Sequence, residues 1–175
     1  MRIKRKKVVI VFCEGEAEIN LFGFLKLQYS NKKIEFRKTI DLGGFGDFKI
    51  FKKKYNKKIK EQNLKPKKDY SDIRFLFIID NDLADSKIIK NFIEEKGHDV
   101  QLCDPNTEGM ILALVGKPII QDVDDKEFRK KCKDKFKRHF GCEAHRFKEI
   151  KLKEVFASEE VFKNKLSVLH RLFKS

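Results

Sequence analysis

Six consecutive apolar positions, Val8 to Cys13, stop at Glu14, and three glutamates, Glu14, Glu16 and Glu18, then crowd around one glycine. The run over 7–13 predicts a buried strand. Residues 16–29, with Ile19, Phe22 and Leu25 at helical spacing, predict a helix. "IEFRKTIDL" (34–42) alternates as a second strand, and "GGFG" (43–46) reads as a turn. Phe48, Phe51, Tyr55 and Ile59 then form the apolar stripe of a strongly basic second helix, which "KPKKDYS" (65–71) ends. "IRFLFII" (73–79) is an apolar run broken only by Arg74, which suits a central parallel strand covered on both faces, and it stops at Asp80. A helix over 85–96 carries Ile88, Ile89, Phe92 and Ile93 and ends at Gly97; "DVQLC" supplies a fourth short strand.

This β-α-β-α-β-α-β order predicts an α/β, Rossmann-like fold: a parallel four-stranded sheet flanked by helices, with right-handed crossovers. Beyond residue 104 the pattern turns helical, over 106–115, then 124–140 with Phe128, Cys132, Phe136 and Phe140. The last helix runs over 158–173, with Ser158 as N-cap and Phe162, Leu166, Leu169 and Phe173 buried. The expected organisation is an α/β domain over 1–116 with a helical C-terminal extension, 117–175, packed on it.

Composition narrows the class. In 175 residues, 41% hydrophobic with 17 Phe, a packed core is expected and disorder is excluded. Lys and Arg number 41 against 27 Asp and Glu, and a net charge of +14 favours polyanionic partners, nucleic acid first. Lysine richness of a low-GC or thermophilic proteome gives the same charge without a partner. No stretch approaches the roughly 20 apolar residues of a membrane span, and six apolar residues after "MRIKRKK" are too few for a secretory segment. Four cysteines without a C-x-x-C pair fit buried reduced thiols. A cytoplasmic protein with no membrane association is expected.

Ligands of open α/β sheets bind beyond the carboxyl ends of the strands, where this chain places its acids. The first strand ends in Glu14, the third in Asp80 and Asp82 ("FIIDND"), and the segment after the fourth carries Asp104 and Glu108 ("CDPNTEG"). Crowded carboxylates repel and raise one another's pKa unless cations enter. An oxygen-only donor set without His or Cys selects Mg2+ or Mn2+. The plainer explanation is that turns are polar and that Asp80 or Asp82 caps the next helix.

These motifs resemble the TOPRIM domain, and most its RloB-like and OLD-nuclease branch. "CEGEAE" is similar to that family's E-G-x-T-E, through Glu14, Gly15 and Glu18, with Ala17 in place of the threonine. Asp80 and Asp82 match its D-x-D, and "CDPNTE" is similar to its third acidic element through Pro105 and Glu108. The resemblance covers roughly residues 7–115. It implies a TOPRIM-like fold and a Mg2+- or Mn2+-dependent nuclease, hydrolysing DNA or RNA phosphodiesters in defence against phage or mobile elements. A partner ATPase or larger defence complex is implied with it. Catalysis would rest on Glu14, Glu18, Asp80, Asp82 and Glu108, of which Glu14, Asp80, Asp82 and Glu108 would hold the metal. With Tyr29, Tyr55 and Tyr70 as the only tyrosines and no room for template-handling domains, topoisomerase and primase chemistry do not fit. Glu16 and Asp85 have no counterpart in the motifs and are read as solvated.

Nucleic acid would be met by Lys49, Lys52, Lys53, Lys54, Lys57 and Lys58 on the second helix and by Arg129, Lys130, Lys133 and Lys137 on the 124–140 helix. Plain solvation explains the same faces. Three other functions stay open. The D-x-D also resembles haloacid-dehalogenase phosphatases, although Ala84 stands where they carry a threonine. Cys132, His139, Cys142 and His145 are candidates for zinc, with apolar packing of Cys132 as the competing explanation. A TOPRIM-shaped binding or assembly subunit without activity is the third.

Overall fold

The computed structural model describes residues 6–29, 34–62, 70–82, 84–149 and 156–174, so most of the 65–71 breaker lies outside it. Four strands, β1 (Lys6–Cys13), β2 (Ile34–Asp41), β3 (Tyr70–Asp80) and β4 (Asp99–Cys103), form one all-parallel sheet in the order β2-β1-β3-β4. Among the described residues seven α-helices flank it: α1 (Glu16–Tyr29), α2 (Phe48–Glu61), α3 (Ser86–Glu95), α4 (Thr107–Leu114), α5 (Asp125–Phe140), α6 (Glu159–Lys165) and α7 (Ser167–Lys174). The α/β, Rossmann-like expectation holds. The chain steps outward from β1 to β2 and then returns to β3 on the other side of β1. Strand order therefore reverses between β1 and β3, and a crevice opens beyond their carboxyl ends.

The central strands have no polar face, so both sides of the sheet must be covered. On one side Ile10, Phe12, Phe77 and Ile79 pack under α2 and α3, against Phe51, Tyr55, Ile89 and Ile93. On the other side Val9, Val11, Leu76 and Ile78 meet Leu21, Phe22 and Leu25 of α1. The same cluster takes in Phe136, Phe147, Phe162 and Phe173, so the C-terminal helices share the core of the sheet. The face α1 buries is broader than the Ile19–Phe22–Leu25 stripe predicts. Phe24 packs edge-on against Phe147 with ring centroids 5.4 Å apart, and Asn20 Nδ2 donates to the carbonyls of Ala144 and His145 at 3.2 and 2.8 Å. A helix held between a sheet and a second helical layer has little face left for water.

The continuous helix expected over 158–173 is interrupted at Leu166, whose backbone (φ −120°, ψ 50°) leaves the helical region. The cause is Gln101, a buried residue of β4. Its Oε1 accepts from Val168 N at 3.1 Å and Leu169 N at 3.5 Å, and its Nε2 donates to Lys165 O at 3.4 Å. A side chain inserted into the backbone ladder is one of the physical causes of a helix kink. Phe162, Leu166, Leu169 and Phe173 are all buried as predicted, and Ser158 caps α6 through Val161 N at 3.4 Å. No helix among the described residues is long and apolar enough to cross a membrane.

The helix that matters most for the site, α5, approaches α4 at Gly109. A Cβ there would lie 2.9 Å from Cys132 Sγ and 3.1 Å from both Asn106 Oδ1 and Pro105 Cδ. Only glycine permits this approach. Gly109→Ala is expected to destabilise the protein by about 1–3 kcal/mol, as overpacking does, lowering the denaturant midpoint; an unchanged midpoint would show that α5 gives way freely.

Candidate metal and nucleic-acid site

The site begins with backbone. Glu14 N donates to Ile78 O at 3.1 Å, carrying the ladder of β1 one residue past its end, and Glu14 O accepts from Gly44 N at 2.7 Å. Gly43 and Gly44 have φ of +75° and +63°, which side chains with a Cβ adopt only at a cost. The "GGFG" segment thereby folds over the end of β1, and Phe45 enters the core. Lys54 Nζ donates to the carbonyls of Gly43 and Gly44.

Each acid is positioned by a different element. Glu14 Oε2 accepts from Asp80 N at 3.1 Å, so the first residue past β1 is tied to the last residue of β3. Glu18, in the first turn of α1, is only 4% exposed. Its Oε2 accepts from Gly15 N at 3.0 Å and its Oε1 from Thr107 Oγ1 at 2.5 Å. Thr107 and Glu108 open α4, whose N-cap Asn106 is fully buried and accepts from Gly109 N at 2.9 Å. Asp80 Oδ1 accepts from Asn81 N at 3.1 Å. Asp82 lies 3.6 Å from Lys133 Nζ of α5. The helix-capping explanation for Asp80 and Asp82 finds no support in these partners. Ser86 at the start of α3 instead donates to Asn81 Oδ1, at 3.0 Å.

The electrostatics stem from burial and crowding. Burial first, then the neighbouring Glu18, pushes Glu14 up to about 7, against the opposing pull of the Asp80 amide and Lys133. Asp80 is pushed up to about 9 by burial and by the charges of Asp82, Glu18, Glu108 and Glu14. Glu18 and Glu108 are also raised, chiefly by burial. Carboxylates from three strand ends thus feel one another across one edge of the sheet.

The donor set is all oxygen and suits a hard divalent ion. Among the described residues, however, no three His, Cys, Asp or Glu side chains gather closely enough to hold a metal as they stand. The local bonds explain why. Glu14 is turned onto the Asp80 amide, Glu18 onto Gly15 and Thr107, and Asp82 towards Lys133. The zinc alternative fares worse, since Cys132 is buried against Gly109 while His139 and His145 are exposed. None of the four cysteines is in a disulfide, and burial pushes the Cys13, Cys103 and Cys132 thiols up, away from nucleophilic use.

The ten cationic residues expected to meet nucleic acid separate by position. Arg129 reaches the edge directly, donating to Asn81 O at 3.0 Å and Asp82 O at 3.4 Å, and Lys133 pairs with Asp82. Lys130 is exposed on the same helix. Lys137, one turn on, pairs with Glu143 at 2.8 Å. On α2, across the sheet, Lys49, Lys52, Lys53 and Lys57 are exposed, and Lys52 lies 5.9 Å from the Phe92 ring. Lys58 is 3.7 Å from Glu61, and Lys54 points back into the glycine turn, which takes it out of a phosphate-binding face. Asp85, expected to be solvated, accepts from Phe48 N at 2.9 Å and so ties the start of α2 to the start of α3. Glu16 is exposed.

Thr107 was not among the expected site residues. With Ala17 in α1 where the motif carries threonine, a hydroxyl reaches Glu18 from α4 instead. The only advance signal is its place beside Glu108 after the cap "PN". Compared with known protein families, curated proteins and solved structures, the chain matches none of them.

Asp80 keeps its proton to about pH 9 when folded and loses it near its ordinary value when unfolded, so the folded state holds more protons between those limits. Stability from this group is therefore full in acid and lost as pH rises through that window. Asp80→Asn is expected to raise the melting temperature relative to the parent more at pH 8 than at pH 5, at about 2–4 °C per kcal/mol. An equal offset at both pH values would mean that Asp80 ionises normally.

Proposed function

We propose that the protein is a TOPRIM-like nuclease that hydrolyses nucleic-acid phosphodiesters with Mg2+ or Mn2+. The observation that carries this reading is the carboxylate edge itself. Acids from the ends of β1 and β3 and from the start of α4 stand half-buried along the edge at the strand-order reversal and raise one another's pKa, an electrostatic cost that a hard cation would offset. Asp80, Asp82, Glu108 and Glu14 would hold the ion, with Asp82 exchanging Lys133 for it. The bound metal would polarise the phosphoryl group and stabilise charge on the attacking and leaving oxygens.

The protein's own groups supply the rest. Glu14 would either complete the metal shell or, left outside it with its pKa raised to about 7, take a proton from the attacking water as the phosphorus–oxygen bond to the leaving strand breaks. Glu18 is a positioning residue, fixed by Gly15 and Thr107 beside Glu14. Lys133, 3.6 Å from Asp82, would be placed to neutralise a phosphate oxygen at this edge.

Two observations favour a second reading, a binding subunit of the same shape without turnover. Lys133 already provides positive charge beside Asp82, and no three acids gather as a ready metal cage among the described residues. Cleavage assays separate the two. With Mg2+ or Mn2+ and single- or double-stranded DNA and RNA, the parent is expected to cut at least one substrate. Asp80→Asn and Glu108→Gln should abolish metal-dependent cutting, and Glu14→Gln should slow it about 10²–10⁴-fold. Variants at Asp80 and Glu108 that cut as fast as the parent would remove the metal site.

A further inference from the structure

Two hollows lie beside the carboxylate edge and share one wall, Arg129. The first is a cavity of about 310 Å³ between α4, α5 and the 118–121 segment, near the lower end of ligand pockets (roughly 300–1,000 Å³). Its floor is apolar, from Met110, Ala113, Ile119 and Phe128, and its rim carries two hydrogen-bonded pairs. Asn81 Nδ2 donates to Asp104 Oδ1 at 2.8 Å, and Gln121 Nε2 donates to Asp125 Oδ1 at 2.7 Å. Each pair leaves further carboxylate or amide oxygens able to accept. The wall over residues 118–121 is pinned to α5, since Lys135 Nζ donates to Pro118 O at 3.0 Å and Lys131 pairs with Asp122 at 3.0 Å. The cavity is therefore preformed.

The second hollow, about 270 Å³, is cationic. Lys126, Arg129, Lys130 and Lys133 line it, with Asp82 at its inner side. Arg129 separates the two spaces and is itself fixed by its bonds to the carbonyls of Asn81 and Asp82. A mixed cavity with Phe128 and aliphatic side chains in its wall and acceptors beside them, next to a cluster of positive charge, matches a single nucleotide. The base would enter the cavity and its phosphate the cationic hollow. The balance of charge favours this orientation, because in the first hollow Asp104 and Asp125 offset Arg129 and Lys165, whereas in the second four cations face Asp82 alone.

We propose that these hollows form a nucleotide subsite that takes one unstacked base of a single-stranded nucleic acid, placing its phosphate next to Asp82. The inference rests on the nucleic-acid substrate proposed above and adds that the strand is single at this point. Stacking on apolar and aromatic side chains and exocyclic amino groups donating to the rim would hold the base; stacking of this kind contributes about 1–3 kcal/mol per base.

Binding without divalent ions separates this proposal from the cleavage reading. Nucleoside 5′-monophosphates, ribose 5-phosphate and inorganic phosphate are titrated into the full chain and followed by calorimetry or by amide NMR shifts. The nucleotides are expected to bind about tenfold more tightly than ribose 5-phosphate. Ala113→Phe, which fills the cavity, should erase that difference. Lys130→Glu, a change at an exposed position, should weaken nucleotide and ribose phosphate alike. Equal binding of nucleotide and ribose phosphate by the parent overturns the subsite, as does a base preference that survives in a folded Ala113→Phe variant. So does a Lys130→Glu variant that binds both as the parent does. Base-selective binding in a protein that cuts nothing would uphold the subsite while removing the nuclease.

Discussion

Repulsion among half-buried carboxylates is the constraint around which this molecule is organised. A parallel sheet sends all its strands the same way, so the residues just past β1, β3 and β4 meet at one edge. Here those residues include an acid each time, and the reversal of strand order between β1 and β3 sets Glu14 against the amide of Asp80. An edge of this kind is stable at neutral pH through protonation, internal cations or an added ion. The fold favours the first two, since burial and crowding raise the pKa of Glu14 and Asp80 and Lys133 pairs with Asp82. The third is the proposed function.

The C-terminal helices have a chemical part in this arrangement as well as a structural one. Phe136 of α5 and Phe162 and Phe173 beyond it close the core over α1, and that packing seats α5 at the acidic edge. Gly109 allows the close approach, Arg129 clamps the carbonyls of Asn81 and Asp82, and Lys133 brings its charge to the acids. Counter-charge thus arrives from a part of the chain outside the β-α-β units. The same helix walls both hollows, which links acid edge, cationic hollow and apolar cavity in one surface.

Much of this was legible in the residues. The apolar runs at 8–13 and 75–79 suit strands covered on both faces, and their abrupt ends in Glu14 and Asp80 mark the edge where a ligand would sit. The stripe of α2 and the cap at Ser158 were equally plain. What escaped depends on contacts between distant positions. The break at Leu166 comes from Gln101, far earlier in the chain and unremarkable in a short strand. Thr107 reaches Glu18 across 89 residues. Lys54 and Lys133 look alike in a basic helix, yet one folds back onto a glycine turn and the other faces the acids. Charge patterns locate faces; only packing decides which lysine does what.

The central claim concerns the ionisation of Asp80 and its response to a hard cation. A carboxyl-carbon NMR titration of the intact protein, with and without saturating Mg2+, measures both directly. Without the ion the Asp80 resonance should titrate near pH 9, and Mg2+ should move that midpoint below neutrality, because the bound ion requires the deprotonated carboxylate. A midpoint in the ordinary carboxylate range, or one that Mg2+ does not shift, would contradict the account.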